Sequence, residues 1–472
     1  MNISRKTTFA LLFLGAAAIR LVFHYLTGFT ADDALITFRY AENLAAGNGF
    51  VYNLGEKVLG TTTPLFTFVL SIFELLNVPA FTSAIFISLV CSGLTAVIIY
   101  RLALLLRFTS LSFVPALIYI FWPRSIVAES SGLETAFFTL LVISAWYFQH
   151  RRLWYYSIAL ATLASVTRPE GFFLLGLILI YNCWKDSRNV FTYSIVPAVI
   201  IIPWLAFSFW YFGTIIPSSI TGKLALYSYL AIDSPLQNLV YLLGLHSWWG
   251  WLMLAAAVMG GWWLYQKQNY GRLELIWLAV MLAFFSISRT QLFFWYVVPI
   301  YPLFIIFVSA AIPFQWDRIA AWSEKIAWVK LALAVFIAGG LTYMCHSQYV
   351  YYKDYARYLN EVHLEIGLYL KANSKPGDVV SAKYIGYTGY YSELRVLDRD
   401  GMVNPLAAGY NRRGDYLGLV MDFGPDWVVA APNRETEEFA KSPAFLVHYE
   451  LVKSFGWEER VAHNLYRRKE QP

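Results

Sequence analysis

Apolar residues along this chain come in solid runs, not in alternating stripes. "FALLFLGAAAIRLVF", "AIFISLVCSGLTAVIIY" and "TYSIVPAVIIIPWLAFSFWYF" are apolar on every side. A helix of that kind belongs in a large core or a membrane, and runs near 20 residues match a bilayer. The pattern predicts eleven spans: Thr8–Gly28, Ala80–Leu106, Leu111–Trp122, Glu134–Gln149, Trp154–Val166, Phe172–Trp184, Val190–Phe212, Trp248–Tyr265, Leu273–Ser288, Phe293–Pro313 and Trp328–Cys345. Pro64–Leu76 is apolar but short, which suits a re-entrant or interfacial helix. The basic start "MNISRK" leads into the first run without a small-residue cleavage site, so that run reads as an uncleaved span.

The pattern changes after the last run. Residues 348–472 hold 16 basic and 17 acidic side chains. "YARYLNEVHLEIGLYLKAN" has helical spacing and "SKPGD" ends it. "VVSAKYIGYTGYY", "DWVVAAP" and "FLVHYELVKSF" are strand-like runs bounded by Gly, Pro and Asp. The expected fold class is an α-helical polytopic membrane protein with a small C-terminal α/β domain. Residues 1–347 form the membrane domain, with a first long loop over about 29–79, and 348–472 form the appended domain.

Composition agrees. Of 472 residues, 58% are hydrophobic and 14% charged, against about 25% charged in soluble domains; the mean hydropathy is +0.51. The net charge of +6 encodes topology, not nucleic-acid binding. With the N-terminus cytoplasmic, the inner loops hold 13 basic residues against four acidic, as the positive-inside rule requires. Eleven spans then put the C-terminal domain outside the cytoplasm, in a protein integral to the plasma (inner) membrane. Cys91, Cys183 and Cys345 all lie in apolar segments and read as packing residues.

In this topology the unusual polar residues gather on the outer face. Asp32, Asp33, Arg39 and Asn43 lie in "FTADDALITFRYAEN", and Arg124, Glu129 and Glu134 in "WPRSIVAESSGLETAFF". Arg168 and Glu170 lie in "TRPEG", Lys223 in "IPSSITGK" and Arg289 in "SRTQLFFWY". Acids and bases converging from several loops at a membrane boundary suggest a site. Other readings stand beside this one. Thr30-x-x-Asp33 matches a helix-capping pattern, and Asp32, Ile36, Arg39 and Asn43 share a helical face where ion pairs are common. No GxxxxGK[ST], HExxH, CxxC or serine nucleophile elbow occurs, so nucleotide, zinc-protease and esterase chemistry lack their motifs.

"DDALITFRYAENLAAGNGFVYNLGEKVLGTTTPL" resembles the first-loop signature of type C (GT-C) membrane glycosyltransferases, most closely the branch with bacterial arabinofuranosyltransferases. "SGLETAFF", "TRPEG", "IPSSITGK", "FFWYVVPIYP" and "AKYIGYTGYYSELRVLDRDGMVNPLA" resemble further segments of that branch. The resemblance implies the GT-C fold and transfer from a polyprenyl-phosphate-linked sugar to a glycan, lipid or protein acceptor outside the cytoplasm. It also implies an acidic general base in the first loop, at Asp32 or Asp33; Asp32 is preferred because Asp33 has the competing capping role. Arg168, Lys223 and Arg289 are then candidates for the donor phosphate, and Arg39, Asn43, Glu134 and Glu170 for sugar or acceptor. No cofactor is required; a divalent cation, with Asp33 as a ligand, is compatible with the converging carboxylates. The alternative class is a lipid-linked sugar transporter or flippase, whose usual marks, internal repeats and midplane charges, are not evident.

Overall fold

The computed structural model describes residues 4–108, 111–229, 234–268, 270–288, 291–319, 327–432, 434–458 and 460–470. The membrane part opens with α1 (Arg5–Thr27), α2 (Asp32–Ala45), α3 (Pro64–Leu75) and α4 (Ala80–Leu105). It continues with α5 (Val114–Ile120), α6 (Pro123–Glu129), α7 (Thr135–His150), α8 (Trp154–Thr167), α9 (Gly171–Lys185) and α10 (Val190–Phe212). Then come α11 (Ser218–Tyr229), α12 (Pro235–Leu243), α13 (Trp248–Gln268), α14 (Arg272–Ile287), α15 (Tyr301–Ile319) and α16 (Ala327–Tyr358).

Among the described residues, four helical stretches are long and apolar enough to cross a bilayer: Arg5–Thr27, Ala80–Leu105, Ser187–Phe212 and Phe294–Ala311. Pro235–Leu243 and Trp248–Gln266, bent by 79°, would make a fifth. Other expected spans are helices of 14–16 residues, α7, α8, α9 and α14. At 1.5 Å per residue they fall short of the roughly 30 Å hydrocarbon core. Leu111–Trp122 was expected as a span; within it only α5 forms, seven residues long, and a second seven-residue helix, α6, follows from Pro123. A proline following Trp122 disfavours helical backbone there and starts the next helix at its first position. The outward faces remain apolar: Leu14 is 61% exposed, Ile202 62% and Trp210 78%, surface that only lipid would cover. The chain is an integral membrane protein.

Inside, Trp146 of α7 meets Trp277 of α14 edge-on, with ring centroids 6.2 Å apart. One ion pair lies wholly within the bundle. Arg20 on α1 holds Glu129 on α6 at 3.0 Å, with both side chains inaccessible to solvent. Ser92 and Tyr119 also donate to Glu129, each at 2.9 Å. The remaining Arg20 N–H groups reach the carbonyls of Ile120 and Tyr119. Glu129 therefore belongs to the bundle interior rather than to the cluster of loop charges in which the sequence placed it.

Beyond α16 the helix runs through a π-helical turn, Leu359–Leu364, into α17 (Glu365–Asn373). The C-terminal domain is a five-stranded sheet in the order β2-β1-β3-β5-β4. Its strands are β1 (Val379–Ala382), β2 (Arg395–Asp398), β3 (Trp427–Ala430), β4 (Tyr449–Trp457) and β5 (Arg460–Arg468). β1 pairs in parallel with β2 and β3, while β5 runs antiparallel to β3 and β4. Only the start of "VVSAKYIGYTGYY" is strand. Its remainder is α18 (Ile385–Ser392), the crossover that parallel neighbours require.

α18 packs on α2, and this seam joins the two ends of the chain. Tyr52 donates to the Ile385 carbonyl at 2.6 Å, and Asn53 exchanges two hydrogen bonds with Val396, both 2.9 Å. Glu56 pairs with Arg395. α2 is consequently buried on nearly all sides, from Ala34 to Ala41, between the bundle and the C-terminal domain.

Candidate active site

α2 divides its polar residues between two neighbours. Asp32 accepts the backbone N–H groups of Tyr387 at 2.8 Å and Gly386 at 3.1 Å. It thereby caps the N-terminus of α18, where orphan amides and the helix dipole favour a carboxylate. Gly386 is required because a Cβ there would collide with the Asp32 backbone. Burial pushes the Asp32 carboxyl up to about 7, opposed by the Tyr387 and Gly386 amides and reinforced by Asp33. Arg39 donates to the carbonyls of Gly389 and Leu394 at 2.6 and 2.7 Å, and lies over the Tyr52 ring. Asn43 donates to the carbonyls of Val51 and Tyr52. The side-chain groups of Asp32 and Arg39 are thus spent on backbone, those of Asn43 on backbone and the Asn48 amide, and none of the three lines the cavity described next.

One residue further round the helix, Asp33 faces a cavity of about 660 Å³, with Ile36 and Thr37 beside it. Adjacent helical residues point about 100° apart, so consecutive aspartates serve different partners. Lys223 on α11 lies 3.8 Å from Asp33 and 5.3 Å from the centre of the Phe293 ring. Arg168, in the turn between α8 and α9, holds Glu170 at 3.0 Å and Glu134 at 3.3 Å. Its guanidinium sits near the rings of Phe138 and Tyr296. Gly171 closes that turn against the backbone of Ala164, leaving no room for a Cβ. Asp33, Glu134, Arg168, Glu170 and Lys223, five of the nine candidates from the sequence, line one cavity. Arg289 lies outside the described residues.

Other lining residues went unmarked in the sequence. Thr37, Thr61, Thr62, Thr63 and Ser219 give the cavity hydroxylated lining, and Leu224, Phe284, Phe285 and Ile287 apolar lining. The signal available was "GTTTP", three hydroxyls in a row before the Pro64 that starts α3. The C-terminal domain adds Met402. Asp398 accepts the N–H groups of Asp400 and Val403, both at 2.8 Å, and shapes that loop. Ser218 donates to the Met402 carbonyl, and Gly222 packs so closely on Gly401 that a Cβ would meet its carbonyl oxygen at 2.5 Å. Among the described residues, no group of three His, Cys, Asp or Glu side chains is arranged to hold a metal ion. The cavity carboxylates instead face Lys223 and Arg168.

A helical bundle, an amphipathic helix directly after the first span and an α/β domain docked on that helix compose the GT-C membrane fold. Solved structures of ArnT from Cupriavidus metallidurans share it over the whole length. The apo form matches with a TM-score of 0.64 and 15% identity, covering 98% of each chain. The form bound to undecaprenyl phosphate matches with a TM-score of 0.61 and 14% identity, again over 98% of each. Residues 348–470 match the model of a domain of unknown function, DUF8728. No curated protein sequence matches the chain.

Proposed function

We propose that this chain is a glycosyltransferase that moves a sugar from a polyprenyl-phosphate donor to a hydroxyl acceptor, with Asp33 as general base. The observation that carries the reading is the Asp33–Lys223 pair at the edge of a cavity with one apolar wall. A lipid-linked sugar phosphate needs three things from its site: apolar surface for the isoprenoid, a cation for the phosphate, and a carboxylate near the attacked carbon. All three meet here. The bond from the anomeric carbon to the phosphate oxygen breaks as the bond to the acceptor oxygen forms. The acceptor proton passes to Asp33, and the electron pair leaves with the phosphate. Lys223 balances the charge growing on that oxygen. Arg168, already committed to two carboxylates, holds Glu134 and Glu170 in the wall for sugar or acceptor.

The undecaprenyl phosphate bound to ArnT supports a polyprenyl carrier. The positive-inside bias of the loops supports a site and C-terminal domain outside the cytoplasm, with the N-terminus inside. In-line attack through Asp33 inverts the anomeric centre and needs no metal. The first-loop resemblance favours a pentofuranose such as arabinose as the sugar, for a cell-envelope acceptor.

The test uses the purified full chain in proteoliposomes with undecaprenyl-phosphate-linked pentose. Asp33→Asn should abolish formation of the new glycosidic bond while undecaprenyl phosphate still binds. Full activity of that variant overturns Asp33 as the base. Movement of the lipid-linked sugar across the bilayer with no new bond overturns the transferase reading in favour of a flippase.

A further inference from the structure

The cavity walls differ in chemistry, and one wall has not been given a role. The phosphate is matched by Lys223 and the isoprenoid by Leu224, Phe284 and Phe285. The remaining wall is neutral and hydroxylated. Thr63 Oγ1 lies 3.1 Å from Thr61 Oγ1 and 3.5 Å from Thr37 Oγ1, a row of three hydroxyls that leaves lone pairs unused, since each can donate one hydrogen bond and accept two. Ser219 is only 7% exposed, yet its hydroxyl has no partner. A buried polar group left unpaired is costly and points to a partner that arrives with a ligand. Such a wall offers hydrogen-bond donors and acceptors without charge, which a hydrocarbon chain cannot use.

We propose that Thr62, Thr63 and Ser219, backed by Thr37 and Thr61, form the subsite that reads the ring hydroxyls of a neutral sugar and sets which sugar is transferred. An amino sugar is a poorer fit, because each carboxylate of the cavity already faces a protein cation. A neutral polyol asks only for the donors and acceptors that hydroxyls supply. Sites built to bond a substrate hydroxyl reject analogues that lack it, because their own polar groups are then left unpaired.

This inference rests on the glycosyltransferase reading, and its experiment separates the two. Three donors are compared on undecaprenyl phosphate: a neutral pentose, the same pentose with one ring hydroxyl replaced by hydrogen, and its amino counterpart. The wild-type chain should prefer the neutral pentose by roughly 100-fold in kcat/KM. Ser219→Ala and the near-isosteric Thr62→Val and Thr63→Val should shrink that preference to about tenfold or less, with the melting temperature of the purified chain unchanged. Equal use of all three donors by the wild type, or an undiminished preference in all three variants, overturns the subsite. If no donor is transferred, the transferase reading fails. The thermal shift produced by each lipid-linked sugar then still tests the subsite: a larger shift with the neutral pentose, reduced by Ser219→Ala, supports it, and equal shifts overturn it.

Discussion

Two clusters of opposed charge in the membrane part, one sealed in the bundle and one at the cavity, have different meanings. Around Glu129, Arg20, Ser92 and Tyr119 all donate to one carboxylate within the helix bundle, where Arg20 and Glu129 are inaccessible to solvent. Around Asp33 the nearest cation stands off at 3.8 Å, the Ser219 hydroxyl lacks a hydrogen-bond partner, and about 660 Å³ of space opens beside them. A buried ion pair saturated with hydrogen bonds holds helices in register. One left incomplete beside a cavity is arranged for something that comes and goes. Polar residues within a membrane protein are therefore sorted less by charge than by whether their bonding capacity is already used.

Variants can break this contrast, starting with the largest expected effect. Asp33→Asn should lower the transfer rate by about 10³-fold or more, as loss of a general base does, while leaving thermal stability within error. A comparable loss of stability would make Asp33 structural. Glu129→Ala should do the reverse, costing about 3–5 kcal/mol by stranding Arg20 in the bundle, read as a collapse of folded yield in detergent. The paired change Arg20→Met with Glu129→Leu should restore most of that yield, and failure to do so would deny that the pair is a replaceable staple.

A third cluster sharpens the distinction. His363 and His463 meet in the C-terminal domain with ring centroids 4.7 Å apart. Both nitrogens of His363, and Nδ1 of His463, lack partners. Burial lowers His463 to about 4, opposed by Glu437 and reinforced by Arg434 and Arg399; it depresses His363 well below its usual range. A histidine whose folded pKa is depressed stabilises the fold above its unfolded pKa, and that stability drains away as pH falls. Between pH 6.5 and 5 the loss from His463 alone should be about 2 kcal/mol, seen as an earlier melting transition. His463→Gln should flatten that dependence; an unaltered pH profile would show that the pair is not titrating. The smallest effect is expected at Asp32. Asp32→Asn keeps one acceptor for the α18 cap and should cost about 1 kcal/mol, with transfer reduced only in proportion to the folded fraction. A rate loss as deep as that of Asp33→Asn would return the catalytic role to Asp32.

Much of this was legible from residue types alone. Glu134, Arg168, Glu170 and Lys223 stand out because charge within apolar surroundings is expensive, and the structure brings all four to one cavity with Asp33. The division of labour between Asp32 and Asp33 was not legible. It depends on α18, a segment about 350 residues later whose backbone amides claim Asp32. Arg39 and Asn43 were misplaced for a related reason: helical spacing shows which residues share a face, not what covers that face. Thr61, Thr62 and Thr63 carry no charge to draw the eye. Arg20 did break an apolar run, but its partner Glu129 looked like a loop residue because it follows the expected span Leu111–Trp122, in the short helix α6 that Pro123 starts. α18 itself read as strand, since its β-branched and aromatic residues fit either form and the carboxylate that caps it belongs to the other end of the chain.

That seam has a consequence for how the protein is made. Asp32 and Arg39 leave the ribosome early, but the amides and carbonyls that satisfy them lie some 350 residues downstream. At roughly 5–20 residues per second, α2 waits for about 20–70 s with its polar groups open and the cavity unwalled by Met402. Synthesis arrested before residue 386 would leave α2 without the amides that satisfy Asp32 and the cavity without Met402. A nascent protein of this kind offers the quality-control machinery one late checkpoint: whether the C-terminal domain has found the first loop.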